Sequence, residues 1–141
     1  MSLVGKAETI LRRFAVLAPL LCAASGAAVA QTQMELNQIS CAEAQRAAQD
    51  LQSVVDRIHR KNAGDPLFLK KFDAAQQAWQ QFADAQLDAI YPAEDKRGQY
   101  GSAYGMCLCG NRETLIRDRI RQLEPWVKGT PEGDICTGSR L

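Results

Sequence analysis

Histidine is almost missing from this chain of 141 residues: His59 stands alone. A single imidazole cannot assemble the usual histidine metal cluster, and no Cys-x-x-Cys-His run occurs for haem attachment. Also missing are a G-x-S-x-G elbow, a phosphate-binding P-loop and a dinucleotide fingerprint. The sequence thus offers no catalytic residues, no metal site and no cofactor. An excess of one charge is lacking too, with 17 Lys and Arg against 16 Asp and Glu. That excludes a polyanion and leaves no basic surface for nucleic acid. No apolar run reaches the roughly 20 residues that a membrane-spanning helix needs.

What is present begins with an export pattern. Lys6, Arg12 and Arg13 precede an apolar run from Phe14 to Ala24, and small residues end in Ala28-Val29-Ala30. A basic start, a short apolar middle and an A-x-A end describe a secretory signal peptide. Residues 1–30 are read as that signal and 31–141 as a single helical domain, exported to the periplasm or beyond. Leu21 stands where a small residue would be wanted for lipid attachment at Cys22, which argues against an anchor there. The lost segment carries three basic residues and Glu8, net +2, so the chain goes from +1 to −1 on cleavage.

Three helical segments follow, near 41–62, 66–91 and 102–124. Ser40 and Glu43 have capping-box spacing, and Ala44, Ala48, Leu51, Val55 and Ile58 recur at intervals of three and four. Asp65-Pro66 is a favourable helix start. Phe68, Phe72, Ala75, Trp79, Phe82 and Ala89 form the heaviest apolar stripe, expected to be the core spine, and Tyr91-Pro92 closes it. Residues 92–101 are a polar connection. Ser102 is the expected cap of the third helix, whose stripe is Cys109, Ile116, Ile120 and Leu123. Gly105 and Gly110 either permit close helix contact or delay the regular helix to about Asn111. Pro125 ends or kinks it, and a turn-rich tail, 125–141, leads to Cys136. The fold class expected is all-α: a small antiparallel bundle of three helices stapled by two disulfides. Short connections make sequential helices antiparallel, so the first and third run parallel.

Four cysteines remain after cleavage: Cys41, Cys107, Cys109 and Cys136. An even count in a small exported chain argues for two bridges. Cys107 and Cys109 lie about 200° apart around a helix, so they serve different partners. Cys41 and Cys109 both sit near the N-terminal ends of parallel helices, which predicts a Cys41–Cys109 bridge, with Cys136 returning to Cys107. The other pairing, Cys41–Cys107 with Cys109–Cys136, stays open. Met106-Cys107-Leu108-Cys109 also has the soft sulfurs that suit Cu(I), but the opposed directions of the two thiols count against a metal.

Asp84 and Asp88 are a helical turn apart, yet paired acids do proton chemistry only when burial separates their pKa values. Two solvated acids are the expectation. Arg112, Arg117, Arg119 and Arg121 form a charge run, expected to pair with Glu113 and Asp118 on a solvated face. Trp126, beyond Pro125, is expected to be partly exposed.

Two blocks carry a family resemblance. Gln76-x-x-Trp79-x-x-Phe82-x-Asp84-Ala85 is similar to the central signature of the LprI-type family of lysozyme inhibitors. Gly101-Ser102, then Cys109, Thr114, Arg117 and Leu123, resembles the family's second run, and Cys41 fits as well. The resemblance covers residues 41–124. Ala83 departs from it where Arg is usual, and Leu87 where Cys is usual. The Asp-x-x-Leu-Asn block of the first helix is not recognisable. Cys107 and Cys136 would replace the missing bridge. What the resemblance implies is a protein partner, a lysozyme, blocked by occlusion of its cleft without chemistry. The segment Ala93–Tyr100 is the expected contact edge, with Tyr91 and Tyr100 as aromatic anchors and Glu94 and Asp95 facing a cationic enzyme. A cell-envelope interaction module with another protein partner is the alternative. Oligomeric state is not legible.

Overall fold

A computed structural model describes residues 32–140. The expected signal segment 1–30, with Cys22, lies outside the described residues. Four helices follow in order: α1, Gln33–Lys61; α2, Pro66–Ile90; α3, Lys96–Tyr100; and α4, Tyr104–Lys128. No strand occurs among the described residues. No described helix is long and apolar enough to cross a membrane.

The first helix starts eight residues earlier than its apolar rhythm suggested. Thr32 and Glu35 make the capping box: Thr32 Oγ1 accepts from Glu35 N at 3.3 Å, and Thr32 N donates to Glu35 Oε2 at 2.7 Å. Ser40 is therefore interior to the helix, and its hydroxyl donates to the Met106 carbonyl at 2.8 Å. At the start of α2, Asp65 accepts from Phe68 N at 2.9 Å and Pro66 occupies the first turn, as expected.

The long connection expected at 92–101 contains a helix of its own. Asp95 caps it by accepting from Gly98 N at 2.9 Å. Gly101, at φ +70°, turns the chain into α4. There Ala103 supplies no side-chain cap. Asn37 of α1 does that work across the bundle: its Oδ1 accepts from Met106 N at 3.0 Å, and its Nδ2 donates to the Ser102 carbonyl at 3.0 Å. Ser102 serves as an anchor for α1 and not as the cap. Glycine at 105 makes this approach possible, since a Cβ there would stand 3.3 Å from the Asn37 side chain.

Pro125 does not end α4. The helix continues to Lys128, where Gly129 at φ +83° donates its N–H to the Pro125 carbonyl. An internal proline costs about 3 kcal/mol. The turn beyond it survives because Trp126 and Val127 pack on the core.

The α1 and α4 helices run parallel and make the closest pair. Contacts from Cys41 to Cys109, Ser40 to Met106 and Asp50 to Arg117 keep nearly one sequence offset. The α2 helix runs antiparallel to both, touching α4 through Gln76–Arg119 and Asp84–Arg112 and α1 through His59–Asp73. The core lies at the closed end: Val54, Ile58, Phe72 and Leu123, flanked by Phe68, Ile120 and Trp126. Ile58 and Leu123 are fully buried.

The α2 face in the core differs from the expected spine. Phe72, Ala83 and Leu87 are buried, with Gln76 and Trp79 half-buried between them. Phe82 is 56% exposed, and Ala75 and Ala89 are exposed. Two three-four rhythms overlap on this helix, and the one that turns inward runs through Gln76, Ala83 and Leu87 in place of Ala75, Phe82 and Ala89.

Among the described residues one disulfide is formed, Cys41–Cys109, with Cα atoms 4.8 Å apart. Cys107 and Cys136 are free and exposed, so the expected second bridge is absent. With α4 running to Lys128, the path back to Cys107 is about 31 Å, so only a tail drawn almost straight from Gly129 would bring Cys136 there. The tail instead coils onto the helix end: Trp126 Nε1 donates to Ser139 Oγ at 3.1 Å, and Arg140 lies over the Trp126 ring.

Candidate functional site

The chain's three tyrosines meet at the end of the bundle opposite the core. Tyr91 closes α2, Tyr100 ends α3 and Tyr104 opens α4. Ring centroids are 5.2 Å apart for Tyr91–Tyr100 and Tyr91–Tyr104, and 5.9 Å for Tyr100–Tyr104. Tyr91 Oη accepts from Asn111 Nδ2 at 2.8 Å, and Tyr100 Oη accepts from Ala93 N at 3.2 Å. Lys96 Nζ donates to the Tyr91 carbonyl. Tyr91 and Tyr100, expected as partner anchors, are thus half-buried braces of the segment 91–100. Asp95 is committed to capping. Glu94 is exposed, and its carboxylate makes no contact among the described residues. Sequence reading missed Tyr104 and Asn111, although three tyrosines within fourteen positions were a signal.

The family-motif residues fall into separate groups. Gln76 Oε1 accepts from Arg119 Nε at 2.7 Å, and the same guanidinium lies 5.7 Å from the Trp79 ring centroid. Asp84 accepts from Arg112 at 3.3 Å. Arg117 donates to Asp50 at 2.5 Å and to Glu113 at 3.5 Å. The Thr114 hydroxyl donates to the Gly110 carbonyl of its own helix, and Phe82 faces outward. Three of the four arginines in the charge run therefore clamp helices together: Arg112 and Arg119 hold α2, and Arg117 holds α1. Arg121 alone pairs only within α4, with Asp118. The expected pairs with Glu113 and Asp118 are present, but the cross-helix clamps were not foreseen.

Two pKa shifts reflect these positions. The hydrogen bond that Arg117 donates to Asp50 raises the Arg117 value above the ordinary one, against a smaller opposing effect of burial. Burial lowers the Arg119 value. Both stay cationic at neutral pH, since guanidinium does not lose its proton in proteins. The single histidine, His59, bonds Asp73 at 2.8 Å and meets the edge of Phe72.

Between α1 and α2, and reaching α4, lies an open groove of about 420 Å³. Ala44, Ala48 and Leu51 line it from α1, Trp79 and Ala83 from α2, and Ile116 from α4. Gln45, Gln52, Gln80 and Arg112 stand at its polar parts, and the Cys41–Cys109 bridge closes one end. Cys109 is consumed by that bridge, so it cannot act with Cys107 as a thiolate pair. Among the described residues no group of three or more His, Cys, Asp or Glu could hold a metal ion.

The described residues form a disulfide-fastened helical scaffold with a braced knuckle at one end and an open groove along its side. The model of the family described as lysozyme inhibitor LprI matches residues 22–123, and the chain belongs to that family. The match takes in α1, α2, α3 and most of α4, and stops before the Pro125 tail. Neither a curated protein nor a solved structure matches the chain.

Proposed function

We propose that the chain is an exported, periplasmic inhibitor of lysozyme that acts by blocking the enzyme's cleft. Family membership over residues 22–123 is the observation that carries this reading. The knuckle at 91–100 supports it. A projecting segment held by a three-tyrosine cluster, a capped turn and the Lys96 bond loses little entropy on docking. Glu94 is its free acidic contact for a cationic enzyme surface. The tyrosines contribute by holding that edge in shape. Residues 1–30 direct export and are removed, and residues 31–141 form the functional domain. No chemistry on the substrate is involved.

The test is lysis of cell-wall substrate by lysozymes of several classes, with and without the purified mature chain. Slowing at micromolar protein is expected, and Glu94→Arg weakens it without lowering the melting temperature. Undiminished lysis by every class would sink the reading and leave the envelope-module alternative.

A further inference from the structure

We infer that the groove between α1 and α2 is a binding site for an uncharged N-acetylated sugar, such as a short β-linked N-acetylglucosamine oligomer. The site is separate from the knuckle, and the inference stands whether or not the chain inhibits lysozyme.

The first argument is size and lining. About 420 Å³ lies within the range of small-ligand sites, which are mostly apolar with a few convergent polar groups. The floor of Ala44, Ala48, Leu51 and Ile116 is apolar, and Trp79 adds an aromatic ring. A pyranose presents just such a partner: one face of C–H groups for the ring and floor, and an edge of hydroxyls.

The second argument is unspent hydrogen-bonding capacity. The Gln45 amide makes no hydrogen bond among the described residues. Gln52 and Gln80 each give one N–H to a neighbour, Asp56 at 2.9 Å and Asp84 at 3.4 Å, and keep their carbonyl oxygens free. Trp79 Nε1–H has no acceptor among the described residues either. A wholly apolar guest would strip water from these groups and leave them unpaired, which is costly. A sugar replaces that water with hydroxyls, and an acetamido group matches a glutamine amide while its methyl meets the alanine floor.

The third argument is charge. The one charged side chain lining the groove, Arg112, already faces Asp84 at 3.3 Å. A carboxylate or phosphate ligand would find no unmatched cation. Neutral guests are favoured, and among them one that combines an apolar face with hydroxyl and amide groups.

The experiment uses the whole mature chain titrated with tri-N-acetylchitotriose, followed by calorimetry and by NMR of the two tryptophan indole N–H signals. Saturable binding in the micromolar to millimolar range is expected, with the Trp79 signal shifting and the Trp126 signal unmoved. Gln45→Ala and Gln80→Ala each weaken binding by about 5- to 10-fold, the loss expected for one hydrogen bond. Both positions are exposed, so unchanged thermal melts will show that the fold is intact. Absence of saturation with millimolar sugar overturns the inference. So does unaltered affinity in the double variant, or a response to an amphipathic helical peptide in place of the sugar.

Discussion

Replacing Cys41 and Cys109 by serine opens the covalent loop that the fold closes around α1, α2 and α3. The comparison belongs in a background with Cys107→Ser and Cys136→Ser, so that stray thiols do not scramble. The bridge spans 68 positions. Chain-entropy bookkeeping for a loop of that length gives about 4 kcal/mol of lost stability at 25 °C. A domain of this size holds only about 5–15 kcal/mol in all, so the variant should lie near the edge of folding. The native contacts around the bridge oppose the loss, because Asn37 and Ser40 still tie α1 to the start of α4. Urea unfolding followed by far-UV circular dichroism measures the difference. The midpoint should fall sharply, while the slope rises because the uncrosslinked unfolded chain exposes more surface. A loss under about 1 kcal/mol would refute the reasoning and show that the denatured chain already holds these helices together.

Ellman titration of the native protein should count two thiols, Cys107 and Cys136, without denaturant; a count of zero would restore the second bridge. Leu123→Ala removes a fully buried side chain and should cost about 3 kcal/mol by chemical denaturation, whereas a cost below about 1 kcal/mol would place the core elsewhere. Asn37→Ala strips α4 of its borrowed cap and should cost about 1–2 kcal/mol. A loss below about 0.5 kcal/mol would deny the capping role.

Much of the fold was legible because its signals are local. The Asp65-Pro66 start and the Tyr91-Pro92 stop of α2 were read within a residue, since caps and proline act on their immediate neighbours. The Cys41–Cys109 bridge was legible because helix direction and a 200° rotation are fixed by geometry alone. Less of the candidate site could be read. Tyr91 and Tyr100 were singled out as partner anchors, and the structure packs their rings against each other and against Tyr104. The groove was not visible at all, because it exists only where α1 and α2 stand apart beside α4. Ala83 and Leu87, the departures from the family pattern, turned out to be buried faces of α2.

From the residues alone came the three long helices, their up-down-up order and one of the two expected disulfides, all set by side-chain period, capping and chain direction. Tertiary structure decided which face of α2 turns inward, since two rhythms of equal spacing compete there and only packing against α4 separates them. It also carried α4 past Pro125, where burial of Trp126 and Val127 outweighs the missing hydrogen bond. That extra turn starts the tail farther from Cys107, and the tail coils against Trp126 with Cys107 and Cys136 both free.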